Sequence, residues 1–230
     1  MARREGRRTL GLWVAAAMAG GVLAAVVGMT LTGILDDQVR LHATSADASN
    51  WGYLTVRVIS VLVSAVAVAG PPAFVLGRRL VGIEIRWIVA SAVGGLVAAS
   101  IPVSSWLEKE TGFLMQEPSQ PSLVVVPLLV GFVAGFATGV AQAIVLKPYL
   151  RRAAWWIAAL MVARGTANVV TSLVSWQVAG GGIRVTTPAD IYVEELVNVG
   201  VGWLIVGLVT GLVLVRLLGE PNPERSAATT

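Results

Sequence analysis

Residues 130–168 read VGFVAGFATGVAQAIVLKPYLRRAAWWIAALMVARGTAN. Two apolar runs, each long enough to cross the hydrocarbon core of a bilayer as a helix, flank a short basic turn. Gly131, Gly135 and Gly139 recur every four residues, so they lie on one face of the first helix. The stretch therefore predicts a membrane-spanning helical hairpin whose helices pack closely through glycine.

The whole chain has the composition of a membrane protein. Its 230 residues are 56% hydrophobic and only 13% charged, with a mean hydropathy of +0.77, whereas a soluble domain carries about 25% charged residues. Apolar runs take up most of the length, and the segments between them are too short for a separate soluble domain. We therefore predict a single all-α domain with six transmembrane helices. The predicted spans are 10–35, 53–76, 85–105, 122–146, 153–176 and 192–215, with polar tails at 1–9 and 219–230.

The distribution of basic residues predicts the orientation of the chain. Most of them lie at one set of span ends, whereas the opposite ends hold only Arg40, Lys109 and Arg184. Because basic loops stay in the cytoplasm, both termini are predicted to be cytoplasmic, in a bacterial plasma (inner) membrane. The basic turns at 77–86 and 147–152 serve as topology signals or, alternatively, bind anionic lipid headgroups. Since the basic residues flank spans and do not line one face, no nucleic-acid partner is predicted.

The six spans read as three copies of one hairpin. The odd spans begin alike, with WVAAAMAGGVLAA from Trp13, WIVASAVGGLVAA from Trp87 and WIAALMVARGTAN from Trp156. The even spans all end in a pair of Val and Leu shortly before a basic residue. Because each copy crosses the membrane twice, the repeat predicts pseudo-threefold symmetry about an axis along the membrane normal. Chance similarity among helices rich in Ala, Val and Gly is the alternative. The predicted hairpins are 10–78, 84–147 and 153–216.

Small residues are predicted to hold these helices together. Lipid tails are as apolar as leucine, so helices in a membrane associate by close backbone approach and interhelical hydrogen bonds. Gly207 and Gly211 form a second glycine stripe, in span six. Gln142 follows the last glycine of the first stripe by three residues, so its amide is predicted to face a neighbouring helix. In the first copy, Pro72 stands at the position of Gln142.

The end of the fourth predicted span and the start of the fifth carry a recognisable motif. The run Gln142-x-x-Val145-Leu146-Lys147, with Trp155-Trp156 shortly after it, resembles a group of uncharacterised bacterial multi-pass membrane proteins. Those proteins repeat a Q-W-L-V-L-R helix exit followed by a basic turn and W-W. In this chain an alanine replaces the Trp after Gln142, and only one hairpin keeps the Gln. The resemblance implies a polytopic membrane protein without an established activity.

Residues suited to catalysis are few. The chain has no cysteine, and its only histidine, His42, lies outside the predicted spans. Thiol chemistry and histidine ligands within the membrane are therefore excluded. The pair Glu194-Glu195 lacks the histidines and the arginine of intramembrane proteases with an E-E-x-x-x-R opening. No carboxylate is predicted at mid-membrane, where a proton relay would need one. We predict no enzyme, no metal and no cofactor.

Arg164 is the main candidate functional residue. It stands at the position of the second glycine of the repeat, near the centre of span five. A central arginine costs about 2.5–3.5 kcal/mol on insertion scales, so it must face the helix bundle or a wet cavity. Asn168, Thr171 and Ser175 continue from it at helical spacing and predict a polar stripe toward the outer end of the span.

Two interpretations of Arg164 remain open. In one, Glu195, Asn198, Asn168 or a backbone carbonyl holds Arg164 and fixes helix packing; Glu195 lies roughly 11–14 Å away along the axis. In the other, Arg164 and Arg57 attract an anionic ligand or lipid headgroup into an outward-facing vestibule. The leading functional hypothesis is an accessory or scaffold subunit that packs other membrane proteins through its glycine-faced helices. The alternative is a small transporter or a lipid- or anion-binding protein that uses the vestibule.

Overall fold

A computed structural model describes residues 2–42, 46–101, 120–180 and 188–219 of the chain. These ranges are helical apart from short turns at 78–83 and 147–153, so the all-α prediction is confirmed. The helices are α1 (Ala2–His42), α2 (Ala46–Gly77), α3 (Glu84–Ser100), α4 (Gln120–Leu146), α5 (Ala154–Gly180) and α6 (Pro188–Leu218).

Five of these helices contain a segment long and apolar enough to cross a membrane. The sixth, α3, has 17 described residues, and the rest of the predicted third span lies outside the described ranges. Large apolar side chains such as Leu23, Val89 and Leu212 are exposed on the outside of the helices, as expected of surfaces that face lipid. The five segments are Glu5–Leu31, Trp51–Gly77, Val124–Leu146, Ala154–Trp176 and Leu196–Leu218.

The first helix extends beyond its apolar run at both ends. It begins at Ala2 and ends at His42, whereas the predicted span covered 10–35 and left 1–9 as a polar tail. Contacts with the α2–α3 turn account for the extra turns at the start. Arg79 Nη1 lies 2.7 Å from Glu5 Oε1, and Arg79 Nη2 donates to Thr9 Oγ1 at 3.2 Å. The basic head is therefore a helix that contacts the rest of the fold.

The six helices form a closed ring that follows the order of the chain. Each helix contacts the helix before it and the helix after it, and α6 contacts α1. Within the described residues, helices on opposite sides of the ring make no comparable backbone contacts. The ring therefore surrounds a central space that all six helices face.

Glycine allows α4 and α5 to touch. A Cβ atom added to Gly135 would lie 2.5 Å from the carbonyl oxygen of Leu160, and one added to Gly131 would lie 2.5 Å from that of Arg164. A Cβ on Gly139 would lie 3.0 Å from the Cα of Ile157. Real Cβ atoms do not tolerate the two shorter distances, so the predicted stripe lies where the α4 and α5 backbones meet.

The seam between α6 and α1 uses a similar contact. A Cβ added to Gly207 would lie 3.2 Å from the Cα of Val14, and one added to Gly211 would lie 2.9 Å from Cδ1 of Trp13. Val14 and Ile157 each directly follow a tryptophan, and each is met by a glycine of the preceding helix in the ring. The α4–α5 contact and the α6–α1 contact thus place a glycine against the equivalent residue, the one after the tryptophan.

Contacts inside the hairpins are equally close. A Cβ on Gly20 would lie 2.6 Å from the carbonyl oxygen of Val68, and one on Gly94 would lie 2.6 Å from the Cα of Thr138. Pro72 has no N–H to donate to the carbonyl of Val68 one turn earlier. The carbonyl oxygen of Val68, to which Pro72 cannot donate, is therefore the atom that a side chain at Gly20 would meet.

Replacing Gly135 by alanine tests this packing. We expect Gly135→Ala to lower the free energy of unfolding by about 1–3 kcal/mol, because α4 and α5 must move apart. The 8 tryptophans allow the change to be followed as thermal unfolding by intrinsic fluorescence in detergent. Gly11→Ala is the control, since a Cβ there meets nothing within 4 Å. Equal stability of the two variants would contradict the proposed role of Gly135.

Candidate functional site

Three tryptophans meet inside the ring and form the floor of the central space. Trp13, Trp87 and Trp156 come from α1, α3 and α5, and each is at most 3% exposed. Their ring centroids lie 6.1, 5.7 and 5.5 Å apart, with the edges of the rings against the faces. Edge-to-face pairs contribute about 0.5–1.5 kcal/mol each beyond their buried area. Fully buried leucines, including Leu76 and Leu146, belong to the same buried cluster.

Two of the three indole N–H groups donate to an even-numbered helix. Trp13 Nε1 donates to Thr210 Oγ1 at 2.9 Å, and Trp156 Nε1 donates to Gln142 Oε1 at 2.8 Å. Gln142 is 6% exposed and donates in turn from Nε2 to Ser91 Oγ at 2.7 Å. The amide of Gln142 therefore faces the interior of the bundle and links α3, α4 and α5.

The third indole has no such acceptor. Trp87 Nε1 is buried without a hydrogen-bond partner among the described residues. In the predicted repeat Pro72 stands at the position of Gln142, the acceptor for Trp156, and proline offers no side-chain acceptor. The floor is thus complete in packing but lacks one hydrogen bond.

The tryptophans lie at one end of a partly open cavity of about 690 Å³, which is lined by residues of all six helices. Most of its wall consists of Ala, Gly and Val together with the faces of four tryptophans. This volume falls within the range of about 300–1,000 Å³ that small-molecule sites occupy. The polar side chains on the wall are Tyr53, Ser60, Ser64, Ser91, Thr138, Gln142, Arg164 and Thr210.

Arg164 lies between this central cavity and a second cavity of about 490 Å³. Its guanidinium carbon is 4.3 Å from the centre of the Trp203 ring, a cation–π contact. Its Nε is buried without a hydrogen-bond partner, and no carboxylate among the described side chains forms an ion pair with it. The side chains of Glu195 and Arg57, both predicted as site residues, lie outside the described part of the chain.

The predicted polar stripe lines the second cavity. Asn168, Thr171, Ser175 and Asn198 all line it together with Arg164. Asn198 Nδ2 donates to Ser175 Oγ at 2.7 Å, about three helical turns beyond Arg164 on α5. Asn198 therefore contacts the far end of the stripe and not Arg164, and its Oδ1 is buried without a partner. The hydroxyl of Thr171 bonds to carbonyls of its own helix.

Trp203 is the residue that the sequence interpretation missed. A Cβ added to Gly21 would overlap its ring, so glycine at that position leaves room for the indole. The repeat could have identified it. In the predicted repeat the first two hairpins have small residues at the positions of Arg164 and Trp203, whereas the third has a cation at one and an aromatic ring at the other. A cation and an aromatic ring that both replace small residues of the repeat can pair with each other, so their joint appearance indicates a contact.

The arrangement is suited to holding a negative charge. Inside a protein the effective dielectric constant is far below that of water, so a charge-assisted hydrogen bond to a guanidinium is strong there. The Arg164 side chain lies where an apolar cavity meets a polar one, with Trp203 against its face. An anionic group placed there would bind the free donors of Arg164 while the remainder of the ligand stayed in apolar surroundings.

A substitution at Pro72 tests the account of the floor. Pro72→Gln places an acceptor where Gln142 serves Trp156, so we expect it to be more stable than Pro72→Ala by about 1 kcal/mol, the usual net value of a hydrogen bond. Both variants restore the missing helix N–H, and therefore the difference isolates the indole. Thermal unfolding followed by tryptophan fluorescence gives the comparison. Equal melting temperatures of the two variants would mean that the indole of Trp87 gains no hydrogen bond from the added acceptor, which would contradict this account of the floor.

Comparison of the chain with known proteins supplies no family. Neither a protein-family model, nor a curated protein, nor a solved structure matches it.

Proposed function

We propose that this chain is a non-enzymatic membrane protein that binds an amphiphilic anion, with the acidic group at Arg164 and the apolar body in the central cavity. The observation that carries the proposal is the position of Arg164. It contributes to the walls of both cavities, and its Nε is buried with no acceptor among the residues that the structure describes.

The cavity walls support the apolar half of the ligand. Alanine, glycine and valine predominate in the wall of the central cavity. Such a wall provides few hydrogen bonds to a fully polar solute, so burying one there would be unfavourable. The polar cavity on the other side of Arg164 contains amide and hydroxyl groups that suit the solvated side of an acidic group. Because the tryptophans close one end, this conformation suits binding and not passage through the ring.

The leading hypothesis from the sequence, an accessory or scaffold subunit, rested on the glycine-faced helices. Gly131, Gly135 and Gly139 meet α5 of the same chain, and Gly207 and Gly211 meet α1. Because these glycine faces pack against helices of the same chain, their presence does not indicate a partner subunit. The scaffold hypothesis stays a prediction without a structural observation in its favour.

The repeat and the topology are part of the proposal. Three like-oriented hairpins, 10–78, 84–147 and 153–216, would explain why one tryptophan from each meets at the floor. They would also explain why Gly139 and Gly207 make the same contact. We further propose a bacterial plasma (inner) membrane location with both termini cytoplasmic, and kinship with the multi-pass proteins that share the Gln142 motif.

Single cysteines test the topology, because the chain has none of its own. We expect a cysteine at Arg151, in the turn between α4 and α5, to react with a membrane-impermeant maleimide only after the membrane is opened. A cysteine at Thr111, between the third and fourth predicted spans, is expected to react in intact cells. The extent of labelling is read by gel shift, and the reverse pattern would refute the orientation.

Brominated ligands test the binding proposal. Bromine quenches nearby indoles, and Trp13, Trp87, Trp156 and Trp203 line the central cavity. In phosphatidylcholine nanodiscs we expect 11-bromoundecanoate to quench fluorescence saturably, whereas the matching bromoalcohol gives only the linear quenching of membrane partition. Arg164→Met is expected to weaken the saturable phase by roughly tenfold or more, the usual effect of losing a hydrogen bond to a charged group.

Arg164→Lys is the matched control, since it keeps the charge and should retain most of the saturable phase. Equal quenching by acid and alcohol would refute the proposal. An unchanged midpoint in Arg164→Met would do the same.

A further inference from the structure

We propose that the tryptophan floor limits the length of the ligand's apolar chain, so that the site selects medium-chain amphiphilic anions of about ten carbons. This inference rests on the proposed function and adds the size of the ligand to it. The observation that carries it is the short distance along the helices between Arg164, which holds the acidic group, and the floor, where the central cavity ends.

Two helices give a similar depth between Arg164 and the floor. On α5, Arg164 follows Trp156 by eight residues, and both line the central cavity. A rise of 1.5 Å per residue separates them by about 12 Å along the helix axis. On α6, Trp203 contacts Arg164, and Thr210 seven residues later accepts the hydrogen bond of a floor tryptophan, which gives about 10.5 Å. Side chains on one helix lean the same way, so these separations also hold for the side chains.

The floor is packed too closely for an alkyl chain to pass. Its three rings contact one another edge to face and are at most 3% exposed. Leu76 and Leu146, at most 1% exposed, belong to the same buried cluster. Hydrogen bonds hold the rings of Trp13 and Trp156 in place. A chain that reaches the floor therefore extends no further unless buried rings move.

The wall between Arg164 and the floor suits an alkyl chain. Leu160 lies on α5 halfway between Arg164 and Trp156, and it lines the cavity. Three polar side chains of this wall already take part in hydrogen bonds with other residues, so they do not require a polar group from the ligand. These side chains are Ser91, Gln142 and Thr210.

The cavity also extends away from the floor, toward the start of α2. Leu76 at the end of α2 belongs to the floor cluster, and Ser60 stands sixteen residues before it, about 24 Å along the axis. Ser60 and Tyr53 therefore lie beyond the level of Arg164, and both line the cavity. An alkyl chain that turned in this direction would meet hydroxyl groups, so the apolar site lies on the floor side.

The depth converts into a number of carbons. Carbon–carbon bonds of about 1.5 Å at tetrahedral angles advance an extended chain by roughly 1.3 Å each, so the nine bonds of decanoate span roughly 12 Å. A longer chain must fold back on itself or displace the tryptophan rings, and such overpacking is unfavourable. The site is therefore expected to prefer chains near this length.

Displacement of 11-bromoundecanoate in phosphatidylcholine nanodiscs tests the limit. Octanoate, decanoate, dodecanoate and hexadecanoate compete with it, and recovery of tryptophan fluorescence measures the displacement. The acids are compared at equal mole fraction in the nanodisc lipid, so that partition into the membrane does not favour the long chains. We expect decanoate to displace best and hexadecanoate to be at least about fivefold weaker, because the longer chain overpacks the cavity.

A variant of the floor tests its role directly. Trp87 is the floor tryptophan whose indole has no hydrogen-bond partner among the described residues, so Trp87→Leu opens space without losing a hydrogen bond. We expect dodecanoate to displace at least as well as decanoate in this variant. Trp155→Leu is the matched control, since Trp155 is 63% exposed and is not among the described residues that line the central cavity. It should keep the preference of the unchanged protein.

Each contrary result has a defined meaning. Equal displacement by decanoate and hexadecanoate in the unchanged protein would overturn the length limit, whether or not Trp87→Leu folds. An unchanged preference in folded Trp87→Leu would contradict the role of the floor. If 11-bromoundecanoate gives no saturable quenching, the proposed function fails as well. Saturable quenching that depends on Arg164 but is indifferent to chain length would overturn this inference alone.

Discussion

Contact between helix backbones at glycine is the constraint on which the rest of the structure depends. In lipid no hydrophobic effect drives helices together, so dispersion between closely packed surfaces and a few hydrogen bonds must suffice. Gly135 against Leu160 and Gly20 against Val68 bring main chains to within van der Waals distance. Such contacts between α1 and α2, α3 and α4, α4 and α5, and α6 and α1 allow these helices to pack without large side chains in between. The space that remains inside the ring then becomes the cavity.

The sequence predicted the helices well and their tertiary contacts only in part. Long apolar runs locate membrane helices because no other single-segment structure satisfies the backbone in hydrocarbon. The early start of α1 was missed because Glu5 and Thr9 gain their partner from Arg79, which is far away in the chain. The repeat placed Trp13, Trp87 and Trp156 at one level, but hydrophobic patterns contain no distances, so the contact between their rings was not predicted.

At Arg164 the sequence identified the residue and missed its neighbour. The cost of inserting an arginine required burial in the bundle, and the structure gives Arg164 two cavities and the face of Trp203. The expected partners were Glu195, Asn198, Asn168 or a backbone carbonyl, because a buried guanidinium usually meets an opposite charge or a hydrogen-bond acceptor. A desolvated cation over an indole gains about 2 kcal/mol or more, and it leaves the outer donors of the guanidinium available in a way that an ion pair does not. The absence of a described counter-charge is therefore compatible with a stable fold.

The order of the helices around the ring has a consequence for biosynthesis. Each helix from α2 onward packs against the helix made just before it. The contact between α1 and α6 is different, because it can form only after α6 has been made. Until then the nascent chain is an open arc, and the face of α1 that will meet Gly207 and Gly211 is exposed to lipid or to chaperones. The ring closes where the first and last helices meet, so a circularly permuted gene cut at another turn would encode the same neighbour relations.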